Sequence, residues 1–208
     1  MTPLQLVSIE GIGVLDPQSL IPNPRSISLR TAGVHEAAAI HELITEHLAE
    51  GHLLPRDLGE IVVHTHRFVV AVQGDTVLAC AELAPLSRSV AEVRSLVVSR
   101  EARSLGVGRR MLDELLHRAS TAGFDKLCAF THAPGYFIQM GFSIVPHLWL
   151  PEKVFTDCVR CPHFRQCGQY AMVVPVTPVE PEFDPDRDRP ADAYGDARGR
   201  AASAPRYA

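Results

Sequence analysis

The sequence predicts an α/β (α+β) domain in which a mixed, mostly antiparallel sheet is flanked by helices. Short apolar runs typical of buried strands alternate with longer segments of helical periodicity. Two of the runs, 68–72 and 76–83, flank the turn residues Gly74 and Asp75, which indicates an antiparallel hairpin. A third run, 93–98, leads through a glycine-containing loop into an amphipathic helix. We therefore expect a single sheet-and-helix domain.

The remaining elements follow from periodicity and breakers. Residues 26–30 indicate a short strand and 34–48 a helix, which Gly51 and Pro55 interrupt. Asp57 has the side chain of a helix cap and predicts a second short helix directly after it. Later runs predict a strand at 127–131, a helix at 134–140 and further strands at 143–145 and 170–176.

Composition limits the domain count and the class of partner. The chain has 208 residues, of which 46% are hydrophobic, so one domain can bury a sizeable core. We expect an extended lead-in at 1–25, a folded domain at 26–177 and a disordered tail at 178–208, which is rich in Pro, Asp, Arg, Ala and Gly. The net charge of −4, without a long Lys/Arg run, argues against nucleic acid as the main partner.

No feature of the sequence indicates a membrane. No apolar stretch approaches the roughly 18 residues of a membrane span, and the N-terminus lacks a basic region followed by an apolar core. We therefore expect a cytoplasmic protein. The five cysteines, an odd number, are expected to be reduced.

The loop between the third run and its helix predicts a diphosphate site. The helix 107–122 begins inside the loop 103–108, which contains Gly106 and Gly108. Unpaired N–H groups and the helix dipole favour an anion at such a terminus. Arg103, Arg109 and Arg110 add positive charge. The spacing matches neither G-x-x-x-x-G-K-[ST] nor G-x-G-x-x-G, so neither an ATP-type loop nor a dinucleotide fingerprint is indicated.

The loop has the form [Q/R]-x-x-G-x-[G/A] after a strand, and a strand, a helix and the pair Gly141-Phe142 follow downstream. In this it resembles the acetyl-CoA pyrophosphate loop of the GCN5-related N-acetyltransferase (GNAT) family. The resemblance implies the GNAT fold and acetyl-CoA as the acetyl donor. The residues that it places around the cofactor are Leu96, Val97, Val98, Arg103, Ser104, Leu105, Gly106, Val107, Gly108, Arg109 and Phe137.

Further segments sharpen the resemblance to the short bacterial amino-acid N-acetyltransferases of the N-acetylglutamate synthase type, over about residues 27–176. These segments are Glu92-Val93-Arg94-Ser95-Leu96, Phe130-Thr131, Leu150-Pro151-Glu152-Lys153-Val154, Asp157-Cys158 and Arg160-Cys161-Pro162. The resemblance implies acetylation of the amino group of L-glutamate, the first step of arginine biosynthesis. Acetylation of another small amine and a non-catalytic CoA-binding regulatory module are the alternatives. A homodimer is left open.

Glu92 is the candidate general base, because attack on a thioester needs a neutral amine. Strand alternation predicts that Glu92, Arg94 and Leu96 share one face of the sheet. Related acetyltransferases carry a glutamate at the matching position. The alternative is an ion pair of Glu92 with Arg94 or Arg56 that has no catalytic role.

The acceptor site implied by the resemblance combines a loop, two strands and a later segment. Its members are Leu54, Arg56, Cys80, Arg94 and Lys153. A guanidinium matches a carboxylate in geometry, which suits Arg56 and Arg94 to a dicarboxylic substrate. Arg56 as a solvated surface residue and Cys80 as a small buried hydrophobe remain the alternatives.

The acid that protonates the departing thiolate is not assigned by sequence. Many relatives have a tyrosine where this chain has Phe137, and the neighbouring Tyr136 would point about 100° away around a helix. Water and Tyr136 both remain candidates.

The motif Cys158-x-x-Cys161-x-His163-x-x-x-Cys167 allows two interpretations. It contains four side chains of the kind that bind a structural zinc ion, although usual zinc modules separate their ligand pairs further. The other interpretation is a set of reduced structural thiols, and on it the chain has no metal. We expect no metal ligand set, with zinc as the less favoured alternative.

Overall fold

Seven strands form one mixed sheet in the computed structural model, which describes residues 26–51 and 53–177. The predictions for 1–25 and 178–208 lie outside the described residues. The sheet order is β1-β2-β3-β4-β5-β7-β6. The strands are β1 (Ser28–Thr31), β2 (Phe68–Gln73), β3 (Thr76–Pro85), β4 (Val90–Val98), β5 (Lys126–Thr131), β6 (Ser143–Val145) and β7 (Tyr170–Pro175).

In the described residues five α-helices flank this sheet; the first four begin near their predicted starts, and the fifth was not predicted. They are α1 (Ala37–Glu46), α2 (Leu58–His64), α3 (Val107–Thr121), α4 (Pro134–Gln139) and α5 (Pro151–Thr156). The cap of α2 is confirmed, since the Asp57 side chain accepts a hydrogen bond from the Glu60 backbone N–H at 3.0 Å. The predicted helix 34–48 is shorter as an α-helix, because its first and last turns are 3-10 turns.

The two faces of the sheet have separate cores. Met111, Leu112 and Leu115 of α3 pack with Val69 and other residues on one face. On the opposite face, residues of α1 and α2 pack with Phe68, Val70 and Val97. The alternation of buried residues along β2 therefore supplies both layers, as expected for a strand buried on both sides.

The parallel pairing of β4 with β5 is short. Their register runs from Val90↔Lys126 to Val93↔Ala129, while the other neighbouring strands pair antiparallel. Beyond Val93, β4 continues to Val98 and β5 to Thr131 without further pairing between them. The sheet therefore opens at this point, and it leaves an edge of β4 accessible.

A β-bulge at Ser95 changes the direction of the side chains in β4. Its φ is 50°, and the β3–β4 register shifts between Cys80↔Val97 and Glu82↔Arg94. The predicted alternation is therefore wrong for Leu96, which packs with the α3 core together with Val93. Positive φ at a residue with a side chain is uncommon, so sequence periodicity does not reveal it.

In the described part of the chain, no helix has the length and apolar character needed to cross a membrane.

Candidate active site

A cleft of about 1150 Å³ opens where β4 and β5 separate. Its walls come from the second half of β4, the ends of β5 and α4, the loop before α2, the segment around α5 and the cysteine-rich segment after it. At one end the cleft reaches Gly108 at the start of α3, and at the other it reaches Arg56 and Lys153. One continuous space therefore joins the predicted phosphate loop to the predicted acceptor residues.

The first group of charges at the acceptor end is the Arg56 cluster, which consists of Arg56, Glu60, Glu82 and Ser95. Arg56 Nη2 lies 2.8 Å from Glu82 Oε2 and 2.8 Å from Glu60 Oε1, and Nη1 donates to Ser95 Oγ at 3.0 Å. The guanidinium also lies 5.9 Å from the centroid of the Phe68 ring. Arg56 is mostly buried, which excludes the alternative that it is a solvated surface residue.

The second group is the Lys153 cluster, which consists of Glu92, Arg94, Lys153 and Asp157. Glu92 accepts from Arg94 Nε at 2.5 Å, and Lys153 Nζ lies 2.7 Å from Glu92 Oε1. Asp157 contacts both cations, with 2.8 Å between its Oδ2 and Lys153 Nζ. Of the two ion pairs considered for Glu92, the structure contains that with Arg94, whereas Arg56 pairs with Glu82 instead.

These contacts set the protonation of Asp157. Burial alone would raise the pKa of the Asp157 carboxyl, but the hydrogen bond from Lys153 and the charges of Lys153 and Arg94 outweigh it, so the pKa is lowered. The carboxylate is therefore charged at neutral pH. Opposite charges meet throughout both clusters, as buried cations require.

At the other end, Arg103 and Gly108 are the residues of the loop 103–108 that line the cleft. Ser104 and Gly106 have φ of 62° and 74°, and this left-handed turn leads directly into α3 at Val107. The first N–H groups of α3 therefore have no partner in a preceding helical turn and lie at the positive end of the helix dipole. This geometry suits an anion, as the sequence predicts.

The three arginines near this loop have different partners. Arg103 lines the cleft but pairs with Glu50, with 2.7 Å between Nη2 and Oε2. Arg109 is mostly exposed and lies 3.8 Å from Asp113. Arg110 donates to the Ile27 carbonyl oxygen at 2.9 Å, so its expected contribution to the loop is not supported.

Two aromatic side chains of α4 line the cleft beside β4. Phe137 packs edge-on against Phe142, with 5.2 Å between ring centroids, and is nearly buried. Tyr136, which the sequence kept as a candidate acid, also lines the cleft. Burial, together with the charge of Asp113, raises the pKa of the Tyr136 hydroxyl, so it keeps its proton at neutral pH.

Of the other two predicted acceptor residues, Leu54 and Cys80, only Leu54 lines the cleft. Leu54 is exposed and lines the cleft. Cys80 is fully buried with Phe68, Val70 and Val97, and its Sγ lies 3.7 Å from the Ser95 carbonyl oxygen. Burial raises the pKa of this thiol well above its usual range. The assignment of Cys80 as a substrate contact is therefore corrected to a small buried hydrophobe below the bulge.

The cysteine-rich segment forms part of the cleft wall. Cys158, Cys161 and Cys167 line it, and all are free thiols. Burial raises the pKa of the Cys158 thiol. Within residues 26–51 and 53–177, no three His, Cys, Asp or Glu side chains are arranged to hold a metal ion, so the structure gives the zinc alternative, which would also use His163, no support.

Sequence reasoning missed three carboxylates of the clusters. Glu60 and Glu82 were not singled out, and Asp157 entered only as part of a motif. The sequence could have indicated that Glu82 has a buried partner, because an acidic residue between apolar neighbours in a strand needs one. Its partner Arg56 is 26 positions away, and only the fold brings them together.

The sequence of the chain is similar to those of known acetyltransferases. The chain is 31% identical over 145 residues to an uncharacterized N-acetyltransferase of Chlorobaculum tepidum, and the match covers 70% of this chain and 94% of that protein. It is 27% identical over 151 residues to the amino-acid acetyltransferase of Escherichia coli K12, where the match covers 72% of this chain. The chain thus spans about a third (33%) of the length of that enzyme.

Two solved structures share the fold. The N-acetylglutamate synthase of Neisseria gonorrhoeae, complexed with coenzyme A and N-acetyl-glutamate, has a TM-score of 0.65 at 24% identity, over 72% of this chain and 35% of that chain. Rv2747 of Mycobacterium tuberculosis, in complex with CoA, has a TM-score of 0.62 at 20% identity, over 72% of this chain and 99% of that chain.

The matched family covers the elements that build the cleft. Residues 37–142, from α1 to the turn after α4, match the acetyltransferase (GNAT) family, and they include the whole of β4 and the start of α3. With this match, the relative in Chlorobaculum tepidum and the shared fold, the chain belongs to the acetyltransferase (GNAT) family.

Proposed function

We propose that this protein transfers the acetyl group of acetyl-CoA to the amino group of L-glutamate. One observation carries the proposal: a single cleft runs from the N-terminus of α3 to two clusters that contain three cations. A thioester donor with a diphosphate and an acceptor with two carboxylates match the two ends of this cleft. The reaction would be the first step of arginine synthesis and would take place in the cytoplasm.

The donor half of the proposal rests on backbone geometry. The loop 103–108 and the start of α3 offer N–H groups to the pyrophosphate of CoA. The edge of β4 beyond Val93, over Leu96, Val97 and Val98, offers backbone groups to the amides of the pantetheine arm. Structures of related fold contain bound CoA, which supports the same donor here.

The acceptor half rests on charge and on the names of relatives. Arg56, Arg94 and Lys153 can bind the two carboxylates of glutamate, with Leu54 at the rim. Relatives are named amino-acid acetyltransferases, and a protein of the same fold was solved with N-acetyl-glutamate. Together these favour a dicarboxylic amino acid as the acceptor.

The chemistry requires three steps of proton and charge movement. Glu92 takes the proton of the substrate ammonium group, directly or through a water molecule. The free amine attacks the thioester carbon, so a C–N bond forms and the C–S bond breaks, while a backbone N–H near the bulge binds the oxyanion. The CoA thiolate leaves and takes up a proton from Tyr136 or from water, while the new amide nitrogen releases its extra proton to solvent, which returns a proton to that donor.

The test is thiol release from acetyl-CoA with purified protein and each common amino acid in turn. Turnover that is selective for L-glutamate is the expected result. Turnover with another amino acid alone would replace the acceptor but keep the reaction. Tight CoA binding without turnover for any amino acid would favour the non-catalytic module.

A second acceptor class has one observation in its favour. The cations of both clusters already contact carboxylates of the protein itself, so a monocarboxylic amino acid would disturb fewer ion pairs than glutamate. The same thiol assay separates the two classes directly.

A further inference from the structure

The two acceptor clusters are built on the same plan. Each contains one carboxylate that is buried and one that reaches solvent. In the Arg56 cluster the Glu82 side chain is 1% exposed, whereas Glu60 is 42% exposed. In the Lys153 cluster the Glu92 side chain is 4% exposed, whereas Asp157 is 40% exposed. The two members of each pair therefore differ in how easily they can give up their cation.

The buried carboxylates cannot leave their partners without a large penalty. Glu82 lies on β3 and Glu92 on β4, and neither can turn into water from the middle of the sheet. A buried charge that loses its counter-ion is strongly destabilised. Glu82 and Glu92 are therefore permanent parts of the clusters.

The two carboxylates that reach solvent can leave at lower cost than the buried pair. Glu60 lies in the first turn of α2, and Asp157 follows directly after α5. Ion pairs of such exposed groups contribute little to stability, because water replaces the partner. A rotation of either side chain into solvent would free one face of Arg56, or of Arg94 and Lys153.

Charge balance shows why this matters for the acceptor. In the two clusters three cations face four carboxylates, so the site is negative when all are ionised. A dicarboxylic amino acid would add two carboxylates and one ammonium group, a further net negative charge, to this cleft. Its carboxylates can bind well only where carboxylates of the protein have left.

We propose that Glu60 and Asp157 are built-in competitors of the substrate, and that the two carboxylates of a dicarboxylic amino acid replace them on Arg56 and on the Arg94–Lys153 pair. This inference rests on the proposed function and adds to it two residues that set acceptor affinity. Glu82 and Glu92 stay in place during the exchange, so the clusters keep the shape that receives the substrate. An acceptor with one carboxylate displaces one competitor and leaves the other bound.

The test compares Glu60→Gln and Asp157→Asn with wild-type protein. Each variant removes the charge of one competitor and leaves a side chain of similar size. We expect the KM for L-glutamate to fall about fivefold in each variant, the size of a modest exposed ion pair. The Kd of glutarate, measured by calorimetry without turnover, should fall by a similar factor. The KM for acetyl-CoA should not change.

Matched controls remove equal charge away from the cleft. Glu42→Gln on α1 and Asp75→Asn in the β2–β3 turn change exposed carboxylates that do not line it. A lower glutarate Kd in these controls would assign the effect to net charge and overturn the proposal. The proposal would also be overturned if the KM for L-glutamate or the Kd of glutarate fell in only one of the variants Glu60→Gln and Asp157→Asn, or in neither.

Failure of the inference and failure of the proposed function give different results. Wild-type protein that does not acetylate L-glutamate removes the proposed function, and the inference with it. Wild-type protein that acetylates L-glutamate, with unchanged affinity in Glu60→Gln and Asp157→Asn, removes the inference alone.

Discussion

Lys153 Nζ lies 2.7 Å from Glu92 Oε1, so an ion pair joins α5 to the first half of β4 across 61 positions of sequence. The same ammonium group also lies 5.3 Å from the centroid of the Phe130 ring. The contact ties the segment that borders the acceptor end of the cleft to the strand that carries the candidate base. A change at either residue should therefore lower the free energy of unfolding as well as alter the chemistry, because the other buried charge loses a partner.

Glu92→Gln should reduce kcat about a hundredfold, because an amide cannot accept the proton of the substrate ammonium group. The Kd of CoA should stay unchanged, since the phosphate loop lies at the other end of the cleft. Steady-state kinetics and CoA titration measure the two effects. Glu42→Gln on the exposed side of α1 is the control. Unchanged kcat in Glu92→Gln would remove Glu92 as the base.

Arg56→Ala should raise the KM for L-glutamate with little change in the KM for acetyl-CoA. It should also lower the free energy of unfolding by about 3 kcal/mol, because Glu82 is left as a buried charge without its main partner. Kinetics and urea unfolding measure these two consequences separately. An unchanged glutamate dependence would take Arg56 out of the acceptor site.

The double variant Arg56→Ala/Glu82→Gln separates folding from binding. Removal of the unpaired carboxylate should recover part of the lost free energy of unfolding. It should not restore the KM for L-glutamate, since the guanidinium is still missing. Recovery of both quantities would show that Arg56 acts on the substrate through stability alone.

Gly108→Ala should raise the KM for acetyl-CoA only about threefold, because the form [Q/R]-x-x-G-x-[G/A] admits alanine here and the cost is a small shift of the Tyr136 side chain. A Cβ at this position would lie 3.0 Å from Tyr136 Oη and 3.6 Å from Val98 Cγ2, within the cleft wall. The helix itself should gain stability, because alanine favours it over glycine. Gly135→Ala in α4, where a Cβ meets open space, is the matched control. Equal effects of both variants would contradict the prediction.

In Glu36→Gln the free energy of unfolding should change less with pH on the acid side than it does in wild-type protein. The Glu36 carboxylate accepts hydrogen bonds from Arg30 at 2.6 and 2.8 Å and from the Gly33 N–H at 2.8 Å, which lowers its pKa below the ordinary 4.5. A group with a lowered pKa in the folded state adds stability above its ordinary pKa, and this is lost as the pH falls through the lowered value.

The variant should therefore be less stable at neutral pH by about 1 kcal/mol, and the difference should shrink as acid protonates Glu36 of the wild type. Thermal unfolding between neutral pH and about pH 3 measures this. Glu42→Gln on the exposed side of α1 is the control and should shift the curve little. A constant difference at every pH would place the effect outside the Arg30–Glu36 pair.

The elements of the fold were predictable because their signals are local. The apolar period of α3 and the Asp57 cap of α2 depend on residues within a few positions of each other. The β-bulge was not predictable, because the positive φ of Ser95 follows from the register of two strands. The face of Leu96 was therefore predicted wrongly, although the strand itself was confirmed.

The cations of the candidate site could be predicted from the sequence, but most of the carboxylates that pair with them could not. Arg56, Arg94, Lys153 and Arg160 were the candidate cations for a dicarboxylic acceptor. The structure brings the first three to one cleft, whereas Arg160 is not among its lining residues. The carboxylates that hold them come from distant segments, and no local pattern pairs Arg56 with Glu82. Their roles in binding stay predictions until the variants are measured.

Because of the bulge at Ser95, the position of a residue along β4 decides which face of the sheet its side chain meets. Glu92 and Arg94, before the bulge, point toward the acceptor clusters, while Leu96 and Val98, after it, pack with the α3 core. Loss of Ser95 itself would restore regular pairing and leave Leu96 and Val98 on their present face. Loss or gain of a residue elsewhere in β4, with the bulge kept, would exchange the faces of the side chains on one side of it. We infer that a single insertion or deletion in β4 outside the bulge would uncouple the two halves of the cleft.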